Sequence, residues 1–191
     1  MGAKDETLGT VYANALLDLV FEKGVHSEVL SELREVGRLL AEEPRFAPFL
    51  NTPQVGQQAK KDVIQRVFGG RVSDPTLNFL KIVIDKRRQA NLPDMIEAFR
   101  AGYHVRMGEL VVKVASSVPL AGGQQEELAA ILKRKFDKEI ILEERVDPEL
   151  IGGLVLRVGD SRIDGSLRTR LEAIGDRLET ARLRSEDYYE N

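Results

Sequence analysis

The two histidines, His26 and His104, are the only side chains that ordinarily titrate near neutrality, so a search for acid–base or metal chemistry starts with them. They lie in different helical contexts with no acid-rich motif around either, and read as surface or core residues. No cysteine is present, which removes disulfides, thiolate metal sites and cysteine nucleophiles together. Gly152, Gly153 and Gly159 do not form G-x-G-x-x-G, and they flank a strand instead of joining strand to helix. They read as turn glycines with positive φ. No G-x-x-x-x-G-K-[ST] loop occurs. The run Asp160-Ser-Arg-Ile-Asp164-Gly165 resembles a calcium loop superficially, but its third position is Arg162 and its closing acid would fall at Leu171. Glu42-Glu43 and Glu143-Glu144 are adjacent in sequence, point apart and read as solvated. Lys60-Lys61, Lys86-Arg87-Arg88 and Lys133-Arg134-Lys135 sit at helix ends or faces with acids nearby. They lack the interleaved aromatics that single-strand binders use. The sequence therefore predicts no catalytic residue, no cofactor, no metal ligand set and no nucleic-acid partner.

The elements that would position any site come in two styles. Among 191 residues, 42% are hydrophobic and 31% charged, an ordinary balance for a folded chain, and the length suits one large domain or two small ones. Trp is absent and aromatics are few, so Leu, Ile, Val and Ala must build the core. The net charge of −3 and pI near 5.6 give no global drive toward nucleic acid or an anionic membrane. No stretch approaches the roughly 18 apolar residues that span a bilayer. The start, Met1-Gly2-Ala3-Lys4-Asp5-Glu6, carries acids and no apolar h-region, so neither a signal nor a transit peptide is expected.

Helical periodicity fills the first half. Leu8, Val11, Tyr12, Ala15, Leu16, Leu19 and Val20 make one apolar stripe, and Gly24 ends it. A second helix, with Ser27 as its expected N-cap, carries Leu30, Leu33, Val36 and Leu40. Phe46, Phe49 and Leu50 form a short third piece. Val63, Ile64, Val67 and Phe68 mark a fourth helix that stops at Gly69-Gly70. Ser73 or Asp74 caps a fifth, with Pro75 at its first turn; it is apolar almost all round. Met95, Ile96, Phe99, Tyr103 and Met107 mark a sixth. After Gly108 the period changes to alternation: Glu109–Ser116, Glu139–Val146 and Leu154–Val158 read as strands, and Ile163 as part of a short fourth. Gln124 to Phe136 reads as a helix between the first two strands. Ser166 caps a last helix carrying Leu167, Leu171, Ile174 and Leu178. The expected fold class is α+β in two domains: an N-terminal six-helix bundle over 1–105, then a small α/β domain over 109–182 with a short mixed sheet. A flexible polar tail over 183–191 completes the chain.

Several stretches resemble the delta family of F-type ATP synthases, whose mitochondrial relative is the oligomycin-sensitivity-conferring protein. The most specific is Val146-Asp-Pro-Glu-Leu-Ile-Gly-Gly153, continuing through Leu154-Val-Leu-Arg-Val-Gly-Asp160 and Ile163-Asp-Gly-Ser-Leu-Arg168. Thr76-Leu-Asn-Phe-Leu80 followed by Lys86-Arg87-Arg88, Tyr12-Ala13-x-Ala15-Leu16 and Ser117-Val118-Pro119-Leu120 match in the family's order, so the similarity covers nearly the whole chain.

The resemblance implies a non-catalytic stator subunit that ties the alpha/beta catalytic head to the peripheral stalk and resists rotor torque. It implies that a groove between the first and fifth helices receives the N-terminal amphipathic helix of an alpha subunit. Tyr12, Ala15, Leu16, Leu19, Phe79, Leu80, Val83 and Ile84 are the candidates for that groove. It implies further that the C-terminal domain grips the b subunits, and that the chain sits peripherally, without inserting, on the cytoplasmic face of the bacterial cell membrane. An organellar inner membrane is the alternative.

Overall fold

The computed structural model describes residues 8–174. Leu178, Gly175 and the 183–191 tail lie outside the described residues. Two compact units meet in sequence between Met107 and Gly108.

The first unit holds α1 (Leu8–Glu22), α2 (His26–Glu42), α3 (Phe46–Asn51), α4 (Gln57–Phe68), α5 (Asp74–Asp85), a 3₁₀ turn (Gln89–Asn91) and α6 (Leu92–Arg106). Its core is aliphatic with a few rings: Leu17, Val20, Leu33, Leu50, Ile64, Leu80, Met95 and Phe99 are sealed from solvent. α1 and α6 approach closely because glycines stand at both ends of their contact. A Cβ on Gly9 would press on the Asp94 backbone at 3.3 Å, and one on Gly102 would overlap Leu17 Cδ1. These pairs advance together along both helices, so the two run parallel. Arg106 then ties back to Asp18 at 2.5 Å.

α2 begins at His26 with Val25 as its N-cap and no side-chain cap, so Ser27 does not cap it. The Ser27 hydroxyl lies 3.2 Å from the Tyr103 hydroxyl instead, a tertiary contact that outcompetes a local one. α5 starts after Ser73 with Pro75 in its first turn. Its cap comes from α2: Glu32 accepts the Ser73 N–H (2.5 Å), the Ser73 hydroxyl (2.7 Å) and the Thr76 hydroxyl (2.5 Å). A carboxylate thereby satisfies an orphan helix N–H and complements the positive end of the helix dipole.

The second unit holds β1 (Glu109–Ser116), α7 (Gly122–Phe136), β2 (Glu139–Val146), β3 (Leu154–Val158) and β4 (Ser161–Asp164), followed by a helical segment at 167–174. The sheet runs β2-β1-β3-β4; β1 and β2 are parallel, joined through α7, while β1–β3 and β3–β4 are antiparallel. The chain is therefore α+β with a four-stranded mixed sheet. Val112 and Val114 pack with Leu132 of α7, ringed by half-buried Leu128, Ile140, Leu142 and Leu156.

Gly153 sits at φ +84°, and a Cβ there would meet the Gly165 carbonyl; only glycine lets the chain entering β3 pass so close to the chain leaving β4. Ser166 caps the segment at 167–174 by accepting the Thr169 N–H at 3.3 Å. Asp164 in turn accepts the Ser166 N–H at 2.9 Å. That N–H first, and the Ser166 hydroxyl second, hold the Asp164 carboxyl down to about 2. The stretch Asp160–Gly165 thus holds the end of a turn, strand β4 and the lead into the cap at Ser166.

Candidate partner-binding groove

α1 is apolar over a wider arc than its own core uses. Ala13, Leu16, Leu17 and Val20 are buried, while Val11, Ala15 and Leu19, spaced four apart on an adjoining face, are exposed. α5 behaves the same way: Leu77, Leu80, Val83 and Ile84 turn inward and Ile82 turns out. A helix hydrophobic on every side is ordinarily buried on every side. Here the two surplus faces meet and leave an open trough of about 440 Å³, lined by Val11, Tyr12, Ala15, Leu16, Leu19, Pro75, Asn78, Phe79 and Ile82. Leu16 and Phe79 form a buried floor; Val11 (48% exposed), Leu19 (38%) and Ile82 (49%) form an apolar rim. The Tyr12 hydroxyl and the Asn78 amide are the polar groups of this lining, which carries no formal charge.

Five of the residues expected from sequence come together in the trough: Tyr12, Ala15, Leu16, Leu19 and Phe79. Leu80, Val83 and Ile84 do not. Each is 1–2% exposed and packed into the helical core, so they build the wall that supports the trough. Val11, Pro75, Asn78 and Ile82 were missed, although helical phase marks them. Val11 lies one turn before Ala15, and Pro75 and Ile82 lie one turn either side of Phe79.

The histidines converge more than their sequence contexts suggest. His26 stacks on Phe21 (4.4 Å between centroids, 11° between planes) and lies 5.9 Å from the Tyr103 ring. His104 meets the other side of the cluster edge-on, 5.4 Å from the same ring. The neighbours are aromatic; among the described residues no group of three or more His, Asp or Glu is placed to hold a metal ion. The basic pair Lys60-Lys61 is also divided. Lys60 is buried and donates to the Thr52 carbonyl at 2.7 Å, closing the end of α3, while Lys61 pairs with Asp85 at 2.8 Å.

A helical unit with an uncharged, apolar open trough presents the kind of surface that a protein partner covers. Comparison with known proteins makes this particular. The family model described as ATP synthase delta (OSCP) subunit matches residues 8–178. The chain is similar to ATP synthase subunit delta of Symbiobacterium thermophilum, 41% identical over 170 residues that cover 89% of this chain and 91% of that one. It is similar as well to ATP synthase subunit delta of Desulforudis audaxviator, 36% identical over 167 residues covering 87% and 92%. Among solved structures, a chain of the Toxoplasma gondii mitochondrial ATP synthase hexamer matches with a TM-score of 0.72 at 27% identity, covering 90% of this chain and 97% of that one.

The chain belongs to the ATP synthase delta (OSCP) subunit family. It is a structural, non-catalytic stator subunit of the F-type ATP synthase and part of the peripheral stalk of that membrane-associated complex. Among the described residues no helix is long and apolar enough to cross a membrane.

Proposed function

We propose that α1 to α6 form the six-helix bundle that sits on the catalytic head, over 1–105, and that its trough receives the N-terminal amphipathic helix of an alpha subunit. Helix-in-groove recognition buries apolar anchors at i, i+3, i+4 and i+7 on a complementary face. The observation that carries this reading is the uncharged rim of Val11, Leu19 and Ile82, three large apolar side chains left in water around one trough. The second unit, over 109–182, grips the b subunits of the stalk. Its support is a second hollow of about 410 Å³ bounded by Val118, Leu128, Ile131 and Leu154, with Val118 and Ile131 exposed. Two modest sites on one chain reinforce one another through effective concentration, which suits a part that must oppose torque. The two delta subunits named above, the more similar in sequence, come from bacteria, which favours the cytoplasmic face of a cell membrane as its place over the organellar inner membrane of the solved mitochondrial complex.

The test is a calorimetric titration of the full chain with a peptide copying the alpha N-terminus of the same synthase. Saturable binding is expected, and Leu19→Asp, which sets a carboxylate on the apolar rim, abolishes it without lowering the melting midpoint. No heat at concentrations on the order of 50 µM, or undiminished binding by Leu19→Asp, removes the proposal.

A further inference from the structure

Between its ends α5 carries the polar residues Thr76, Asn78 and Lys81. The fold holds two of them. The Thr76 hydroxyl donates to Glu32 at 2.5 Å, and the Lys81 ammonium donates to Gln65 at 2.7 Å. Among the described residues the Asn78 carboxamide has no hydrogen-bond partner, and neither has the Tyr12 hydroxyl on the α1 wall of the trough. Asn78 is exposed, and Asn is a poorer helix former than Leu, so neither packing nor local propensity accounts for it.

Asn78 lies three residues after Pro75 and four before Ile82, beside Phe79, and all four line the trough. It is a neutral polar group set midway along an apolar wall. A helix lying on Val11, Leu19 and Ile82 covers it and strips its water. The carboxamide then needs new partners for its acceptor oxygen and its two donor hydrogens, and leaving them unmet costs affinity.

We propose that Asn78 sets the register of the docked helix by pairing with a neutral carboxamide, Asn or Gln, placed among that helix's apolar anchors. The inference rests on the trough reading given above and names the chemistry that selects the occupant. One carboxamide complements another, since each donates an N–H and accepts one. An ionised side chain fits worse, because the lining holds no formal charge to offset its lost hydration. An apolar side chain also fits worse, because it leaves the Asn78 amide covered and unpaired. A wholly apolar stripe slides by one turn, ~5.4 Å, at little cost. The two amides meet at one axial position, as a single buried Asn fixes register in a coiled-coil seam. Tyr12 selects less, since a hydroxyl turns to suit donor or acceptor.

The experiment titrates the full chain and its Asn78→Leu and Leu19→Asp variants with the alpha N-terminal peptide of the same synthase. Further peptides have each Asn or Gln replaced in turn by Leu. One such replacement weakens binding to the unaltered chain about tenfold. Asn78→Leu weakens the unaltered peptide by a similar factor and regains affinity for that same altered peptide, so the two changes compensate. Asn78→Leu leaves the melting midpoint unchanged or raises it. A lowered midpoint overturns the proposal, since a contact within the fold would then hold Asn78. Undiminished binding of the unaltered peptide by Asn78→Leu overturns it, as does a peptide series in which no Asn or Gln couples to position 78. In those cases Leu19→Asp still abolishes binding and the trough reading stands. No heat from the unaltered peptide, or full binding by Leu19→Asp, removes that reading and this inference together.

Discussion

Replacing Ile82 by alanine removes three carbons that the free chain leaves half in water (49% exposed), whereas the same change at Leu80 removes carbons from a site 1% exposed. The two residues stand two positions apart on α5, about 200° apart in helical phase, so the pair separates interface from core. Full transfer of three methylene-sized groups is worth roughly 2.4 kcal/mol. About half of that remains for a partner helix to gain, so Ile82→Ala weakens the alpha N-terminal peptide by ~1.2 kcal/mol, or about sevenfold in Kd. The same substitution shifts the melting midpoint of the helical unit by no more than about 2 °C. Leu80→Ala costs ~2–5 kcal/mol through lost transfer energy and the cavity left behind, which lowers that midpoint by ~10 °C or more in a unit of this size. Calorimetry reads both quantities: scanning for the midpoint, titration for Kd well below either transition. Equal loss of midpoint in the two variants would show that Ile82 belongs to the core. A Kd unchanged within about twofold in Ile82→Ala would show that the partner helix lies elsewhere.

Three further outcomes are expected. Glu32→Ala strips the cap from α5 and leaves the sealed Thr76 hydroxyl without its acceptor, costing ~2–4 kcal/mol; Glu32→Gln, which keeps one acceptor oxygen, costs less, and scanning calorimetry ranks the two. Gly153→Ala forces a Cβ against the Gly165 carbonyl at φ +84° and lowers the melting transition of the second unit by ~10 °C or more, while peptide binding at the α1/α5 trough persists. Asp164, with its folded value depressed to about 2 from 3.8, stabilises fully above pH 4 and loses that contribution as pH falls through 2. Asp164→Asn therefore flattens the acid limb of the second unit's melting curve between pH 4 and 2, and an unchanged limb refutes the assignment.

Periodicity made the elements legible where one face alone is wet. β1, β2 and β3 fall at the residues where alternation places them, bounded by Gly108 and the Gly152-Gly153 turn. Their neighbours in the sheet were not legible, since alternation says which face a residue takes and not which strand lies beside it. The trough was legible as two helices and not as two faces. α5 is apolar all round, so its pattern cannot tell the inward Leu80, Val83 and Ile84 from the outward Ile82; contacts with the rest of the core decide that. Long-range polar contacts were hidden for the same reason. Glu32 reaches α5 across 41 positions, and the Ser27 hydroxyl meets Tyr103 across 76. Local capping rules see neither.

The glycine-lined contact between α1 and α6 has a mechanical consequence. α1 forms one wall of the trough, so under the docking proposed above tension on the docked helix passes into α6 through Gly9–Asp94, Leu17–Gly102 and the Asp18–Arg106 pair. α6 ends at Arg106, and β1 begins at Glu109. The load thus enters the second unit along β1, the strand laddered on both sides by β2 and β3, and pulling it free requires two rows of hydrogen bonds to part.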